Sequence, residues 1–227
     1  MFFHLAPHRA TLSDINAELV NVYQQIRDNC EAVIDGLRPL RTNKRTYLRM
    51  RGHVPSEEIA RAVRFIYLNK TAFNGLYRVN RKGLFNVPFA GDQGRPTCNE
   101  RELLLAAKQL KGTEIRVQDF EEAFAKASTG DFIYCDPPYT VRHNNNGFIR
   151  YNEALFSWKD QRRLADAARR AVDRGVHVIV SNAGHNSLRR LYEGFAARSV
   201  YRRSCMSGRS EFRAQTFEYV FIGRPKR

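Results

Sequence analysis

Short strand-like runs alternate with helix-like stretches along this chain, and three of those runs end at an aspartate: Asp14, Asp119 and Asp136. Such alternation predicts an α/β sheet with parallel crossovers. Residues 9–14 read as a strand ending in the first acid. Asn16–Asn29 then sets Leu19, Val20, Tyr23 and Ile26 on one helical face, with Asp14 or Asn16 as cap. A helix is read from Glu31 to Leu37, ahead of a basic run from Arg38 to Arg51. Another starts near Pro55, with Ser56 as its expected cap and Glu57 and Glu58 in the first turn, where the helix dipole favours acids. Further helices are expected over 99–110, 121–127, 158–174 and 187–193, and strands over 114–117, 132–135, 176–180, 198–201 and 215–222. Segment 73–97 breaks the pattern with Gly75, Gly83, Pro88, Gly91, Gly94 and Pro96, so it reads as a hairpin-like insertion outside the core. Asn144-Asn145-Asn146-Gly147 reads as a loop.

The 227 residues suit one domain with a small insertion. Lys and Arg number 38 against 23 acids, a formal net charge of +15 that points to a polyanionic partner. Nucleic acid is the first such partner and an anionic membrane the second. No strongly amphipathic basic helix favours the membrane. No run approaches the roughly 18 apolar residues of a spanning helix, and the opening Met1–Pro7 is too short for a signal-peptide core. A cytoplasmic protein is expected. Cys30, Cys98, Cys135 and Cys205 form no C-x-x-C pair, which argues for reduced, mostly buried thiols and against a structural metal.

In an open α/β sheet, ligands bind beyond the carboxyl ends of the strands. The most informative strand end is Asp136-Pro137-Pro138-Tyr139. Two prolines remove two backbone donors and stiffen the turn, leaving the carbonyls of Asp136 and Pro137 to accept. A carboxylate, rigid carbonyls and an aromatic ring would suit the exocyclic amine of a flipped-out base: two acceptors for its two N–H protons and a ring to stack on it. A plain strand-to-loop turn is the competing reading.

Asp136-Pro137-Pro138-Tyr139 resembles the catalytic motif of amino-group DNA methyltransferases. The longer stretch from Asn69-Lys70-Thr71-Ala72-Phe73-Asn74-Gly75-Leu76-Tyr77-Arg78-Val79-Asn80 through Gly83-Leu84-Phe85-Asn86-Val87-Pro88-Phe89 closely resembles a segment of the Dam-like, D12 class DNA adenine-N6 methyltransferases. Leu12–Asn16 is similar to that family's acid-bearing second strand, and Val178–Asn182 to a later core strand. The resemblance covers nearly the whole chain. It implies S-adenosylmethionine as methyl donor, double-stranded DNA as substrate and a Rossmann-like methyltransferase sheet. Residues 1–37 and 99–227 would form the catalytic core and 38–98 a small target-recognition insertion. Asp14 would bind the donor's ribose hydroxyls, unless it is only a helix cap, and Asp119 the donor adenine, with the same alternative. Asp136, Pro137 and Tyr139 would hold the target adenine, Asp136 also bordering the donor. Accepting the N6 hydrogens would make that nitrogen a better nucleophile for direct transfer, with no metal and no covalent enzyme intermediate.

By the same resemblance, Phe73, Asn74, Leu76, Arg78, Asn80 and Pro88 would contact DNA and the target would be GATC. Phe73 would wedge into the stack, Leu76 and Pro88 touch a thymine methyl, and Arg78 pair with guanine O6 and N7 or else with phosphate. Arg38, Arg41, Lys44, Arg45, Arg81 and Lys82 read as phosphate contacts or solvated charge. The chain departs from the family at its start, where the Phe-x-Gly-x-Gly turn is missing and Met1–Leu5 is similar to the helix that should follow it. The sheet is therefore expected to lack its first central strand and to expose two strand edges. A catalytically impaired DNA-binding remnant, and methylation of an RNA base or a protein glutamine, stay open as alternatives. Any restriction endonuclease partner would be a separate chain.

Overall fold

The computed structural model describes residues 1–80, 82–92, 96–140, 156–203 and 215–225. Arg81, Gly94, the Asn144–Gly147 run and Cys205 lie outside the described residues. Two compact units divide the chain, Met1–Asp119 and Phe120–Arg227.

The first unit opens with a single-turn α1 (Phe2–Leu5) and β1 (Thr11–Asp14), followed by α2 (Ala17–Asp28) and α3 (Cys30–Leu37). Then come α4 (Lys44–Gly52), α5 (Glu58–Thr71), a 3-10 turn at Phe73–Gly75, α6 (Glu100–Leu110) and β2 (Glu114–Val117). Strands β1 and β2 pair in parallel, with Asp14 opposite Val117. Asn16 caps α2, its Oδ1 accepting from the backbone N–H groups of Glu18 and Leu19. The cap expected at Ser56 is not formed. Helix α5 starts one residue later, with Glu57 at the N-cap and no side-chain bond to the first turn.

One apolar core joins α2, α3, α4, α5 and α6 with the 72–89 segment: Val20, Val33, Leu37, Tyr47, Tyr67, Phe85, Val87 and Leu110 are all buried in it. This corrects the expectation that 73–97 stands outside the core, because Phe85 and Val87 anchor that segment at 6% and 1% exposure. Two buried tyrosine hydroxyls fasten the same region by donating to backbone carbonyls, Tyr47 to Val87 (2.7 Å) and Tyr67 to Arg41 (2.8 Å). Arg64, also buried, donates to the carbonyls of Met50 (2.7 Å) and Arg51 (3.1 Å), tying α5 to the end of α4. A cation suits that place, where the last carbonyls of a helix lack intrahelical partners.

The second unit holds α7 (Phe120–Lys126), β3 (Phe132–Cys135), α8 (Trp158–Asp173), β4 (His177–Ala183), α9 (Asn186–Leu191), β5 (Ala196–Arg203) and β6 (Gln215–Gly223). Its sheet runs β3-β4-β6-β5. Strands β3 and β4 are parallel, whereas β6 is antiparallel to both β4 and β5. Parallel crossovers thus account for only part of this mixed sheet. Helix α8 begins with a capping box, Ser157 and Asp160 satisfying each other's backbone N–H groups. Its buried alanines, Ala165, Ala168 and Ala171, share a core with Val178, Val180 and Phe221.

The sheets of the two units are separate, of two and four strands. Among the described residues β1 pairs only with β2, and β3 only with β4, so each sheet ends at a parallel strand with one open edge. Phe132 and Tyr134 of β3 are 48% and 41% exposed, large apolar surfaces for strand residues.

Candidate functional site

Three groups of candidate residues lie at strand ends or in the 72–89 segment. In the first unit, the parallel register carries Asp14 and Asp119 to the same end of adjacent strands, Asp119 two residues past the partner of Asp14. Asp14 is exposed, and its Oδ1 accepts from the backbone N–H of Asn16 (2.7 Å). Helix capping is therefore the work of Asn16, and the capping alternative for Asp14 is corrected. Asp119 immediately precedes α7. Ile15 and Val117 beside this pair are 76% and 53% exposed, so acids and apolar side chains share one accessible strand end. Carboxylate acceptors beside apolar side chains suit the donating hydroxyls of a sugar and the face of a planar base.

The second unit carries Asp136 just past β3. The register Cys135 opposite Val180 sets Asp136 level with Ser181 on β4. Ser181 Oγ donates to Asp136 Oδ1 at 2.6 Å, and Tyr134 Oη lies 3.0 Å from Ser181 Oγ. Among the described residues no donor reaches Asp136 Oδ2 or the Pro137 carbonyl. Pro137 is buried, Asp136 and Pro138 are exposed, and Tyr139 packs in part against the unit's core. The Pro138 carbonyl is taken by Gln161 Nε2 (3.3 Å), whose Oε1 accepts from Asn182 Nδ2 (3.0 Å). Gln161 and Asn182 are both fully buried, so this amide pair fixes the turn from inside. The Cys135 thiol is pushed up to about 12 by burial and the adjacent Asp136 carboxylate.

Sequence reasoning reached Asp136, Pro137 and Tyr139 but gave no task to Ser181, Asn182 or Gln161. The polar pair Ser181-Asn182 at the end of an apolar run was the available signal, and β4 in fact runs through it to Ala183. Gln161 gave no such signal, sitting as one polar residue among many in α8.

The candidate recognition segment, residues 72–89, is a hairpin. Its bridges join Ala72 to Phe89 and Val79 to Phe85, and Phe73 N–H donates to the Pro88 carbonyl (2.9 Å). At its base, Asn74 adopts φ 53° and Gly75 φ 62°, and Asn69 Nδ2 holds the Gly75 carbonyl (2.7 Å). Asparagine tolerates that left-handed conformation better than other side chains. Phe73 is 47% exposed, while Leu76 packs in part against the core. Arg78 Nε donates to Asn86 Oδ1 (2.8 Å), and Nη2 to the Asn86 carbonyl (3.3 Å), across the hairpin. Asn80 builds the tip, its Oδ1 accepting from the N–H groups of Lys82 (2.9 Å) and Leu84 (3.0 Å). Pro88 is exposed. The candidate phosphate contacts divide: Arg41, Lys44 and Arg45 are exposed, whereas Arg38 is engaged by Asp35 (2.7 Å) and Glu100 (3.0 Å).

Among the described residues no helix is long and apolar enough to cross a membrane. Comparison with known proteins gives the family. A profile of D12 class N6 adenine-specific DNA methyltransferases matches residues 1–206. The chain is 35% identical over 231 residues to the type II methyltransferase M1.LlaDCHI of Lactococcus lactis subsp. cremoris, covering 97% of this chain and 81% of that protein. It is 35% identical over 201 residues to the DNA adenine methylase of Vibrio cholerae serotype O1, covering 86% and 72% respectively. With the DNA adenine methylase of Escherichia coli K12 the identity is 29% over 223 residues, covering 96% and 80%.

Proposed function

The chain belongs to the D12 class N6 adenine-specific DNA methyltransferases, and from that premise we propose that it methylates the adenine of GATC after flipping that base out of the duplex to the end of β3. The observation that carries this reading is the pair of acceptors at Asp136 and Pro137. A carboxylate oxygen and a rigid carbonyl, neither with a donor among the described residues, suit the two hydrogens of an exocyclic amine. Drawing on those hydrogens localises the nitrogen lone pair, so the site activates by position and electrostatics. Tyr139 stacks on the base. Asp14 and Asp119 hold the nucleoside part of S-adenosylmethionine, which supplies an electrophilic methyl group. In DNA, Phe73 fills the gap left by the adenine, and Arg78, aimed by Asn86, reads a guanine. Asn74, Leu76, Asn80 and Pro88 complete the contacting edge of the hairpin.

The names of the relatives include both adenine methylases and type II methyltransferases, so a separate restriction endonuclease recognising the same site is a compatible partner. The reading is tested by following transfer of labelled methyl from S-adenosylmethionine into N6-methyladenine with the unsubstituted chain and with Asp136→Ala. The substitution is expected to abolish transfer while duplex binding persists. Transfer retained in Asp136→Ala would remove Asp136 from the proposed role. Duplex binding with no transfer by the unsubstituted chain would favour the impaired remnant.

A further inference from the structure

Resting on that proposed function, we infer that Ser181 is a positioning residue for Asp136 and that Tyr134 sets the direction of its hydroxyl proton. A serine hydroxyl has one proton to donate and two lone pairs to accept with. That proton goes to Asp136 Oδ1 at 2.6 Å, a short distance of the kind found for hydroxyl–carboxylate bonds. The contact of 3.0 Å between Tyr134 and Ser181 must then run from the phenol to the serine. The result is a directed chain, Tyr134 to Ser181 to Asp136, laid along one face of the paired strands β3 and β4.

The terminal torsion of an aspartate is broad and nearly two-fold, so an untethered carboxylate would swing between equivalent positions. Ser181 removes that freedom by occupying Oδ1 and leaves Oδ2 as the acceptor for the substrate amine. Ser181 itself is buried and lies on a strand flanked by β3 and β6, which makes it a fixed point. The next residue on β4, Asn182, points its bonds to Gln161 and through it to the Pro138 carbonyl. Consecutive residues of one strand thus hold the carboxylate and the proline carbonyl beyond it. Catalytic groups need placement to about 0.5 Å, and a misplacement of about 1 Å can lower a rate about 100-fold.

The test pairs a spectroscopic readout with kinetics. Aspartate residues are labelled with carbon-13 at the side-chain carboxyl, and the Asp136 resonance is assigned by its loss in Asp136→Asn. That resonance is expected to move in Ser181→Ala and in Tyr134→Phe and to return in Ser181→Thr, with no donor or DNA present. In transfer assays, Ser181→Ala should lower kcat by roughly 10- to 100-fold with KM for DNA unchanged. Ser181→Thr should recover most of that loss. The double variant Ser181→Ala/Tyr134→Phe should be no slower than Ser181→Ala alone, because both act through one chain. An unmoved resonance in Ser181→Ala, or a rise in KM with kcat intact, would overturn the inference. If the unsubstituted chain transfers methyl to no DNA, the proposed function fails. The carboxyl resonance then decides alone whether Ser181 orients Asp136.

Discussion

At the scale of single residues, the same amino-acid type serves different ends according to what surrounds it. Arg64 is buried and spends its guanidinium on two helix carbonyls, and its pKa is lowered by that burial. Arg78 donates Nε and Nη2 to Asn86, and under the proposed function Arg78→Ala should relax discrimination at one guanine by about 1–3 kcal/mol. Competition binding on duplexes with that guanine replaced measures this, and a uniform weakening across sequences would mark a phosphate contact instead. Cys135 carries a thiol raised to about 12. It is therefore protonated across the neutral range, and iodoacetamide at pH 8 should alkylate it far more slowly than a free thiol, as peptide mapping would show. Motif reasoning found Asp136 because prolines beside an acid at a strand end are a local pattern. It could not find Gln161, whose importance comes from a partner 21 residues away in Asn182.

Elements were legible where polarity had a period and less so where a cap or an edge decided the boundary. Helix α2 lies where its apolar spacing set it, and α6 and α8 lie over the ranges expected for them. Helix α4 escaped because its basic residues dominate and only Tyr47 is buried. The hairpin was read as peripheral from its glycines and prolines, yet alternate residues Phe85 and Val87 drive it into the core. In α8 the Asp160 carboxyl is held below its usual range chiefly by the Ser157 hydroxyl bond. A depressed folded value means that this stabilisation is complete above the unfolded carboxyl value near ~4 and is lost as pH falls through the folded value. Urea unfolding at pH 7 should show Ser157→Ala about 1 kcal/mol less stable, with the difference from the unsubstituted chain shrinking towards pH 3. At Gly184, a Cβ would lie 2.5 Å from the Phe217 carbonyl, so Gly184→Ala must push β4 from β6 and lower the melting temperature.

For the whole molecule, charge and topology were the readable quantities. The net charge of +15 has an exposed share on and before α4, at Arg41, Lys44 and Arg45. Duplex affinity should therefore fall steeply with salt. Lys44→Ala and Arg45→Ala should each make the log–log dependence shallower, by about 0.9 for every phosphate that the removed side chain neutralised. The alternation of strands and helices announced an α/β fold, but not its division into two sheets. Which strands pair depends on residues far apart in sequence, such as Thr11 with Glu114, and no local pattern carries that information. Under the proposed function, acceptors at Asp136 and Pro137 activate an amine, and the hairpin at 72–89 chooses it. The most direct test is to incubate the chain with tritium-labelled S-adenosylmethionine and duplexes carrying GATC or each of its single-base variants, and to count label in N6-methyladenine. Label is predicted in GATC duplexes, with little in the variants. Equal labelling of all the duplexes, or label only in a different sequence, would contradict the claim.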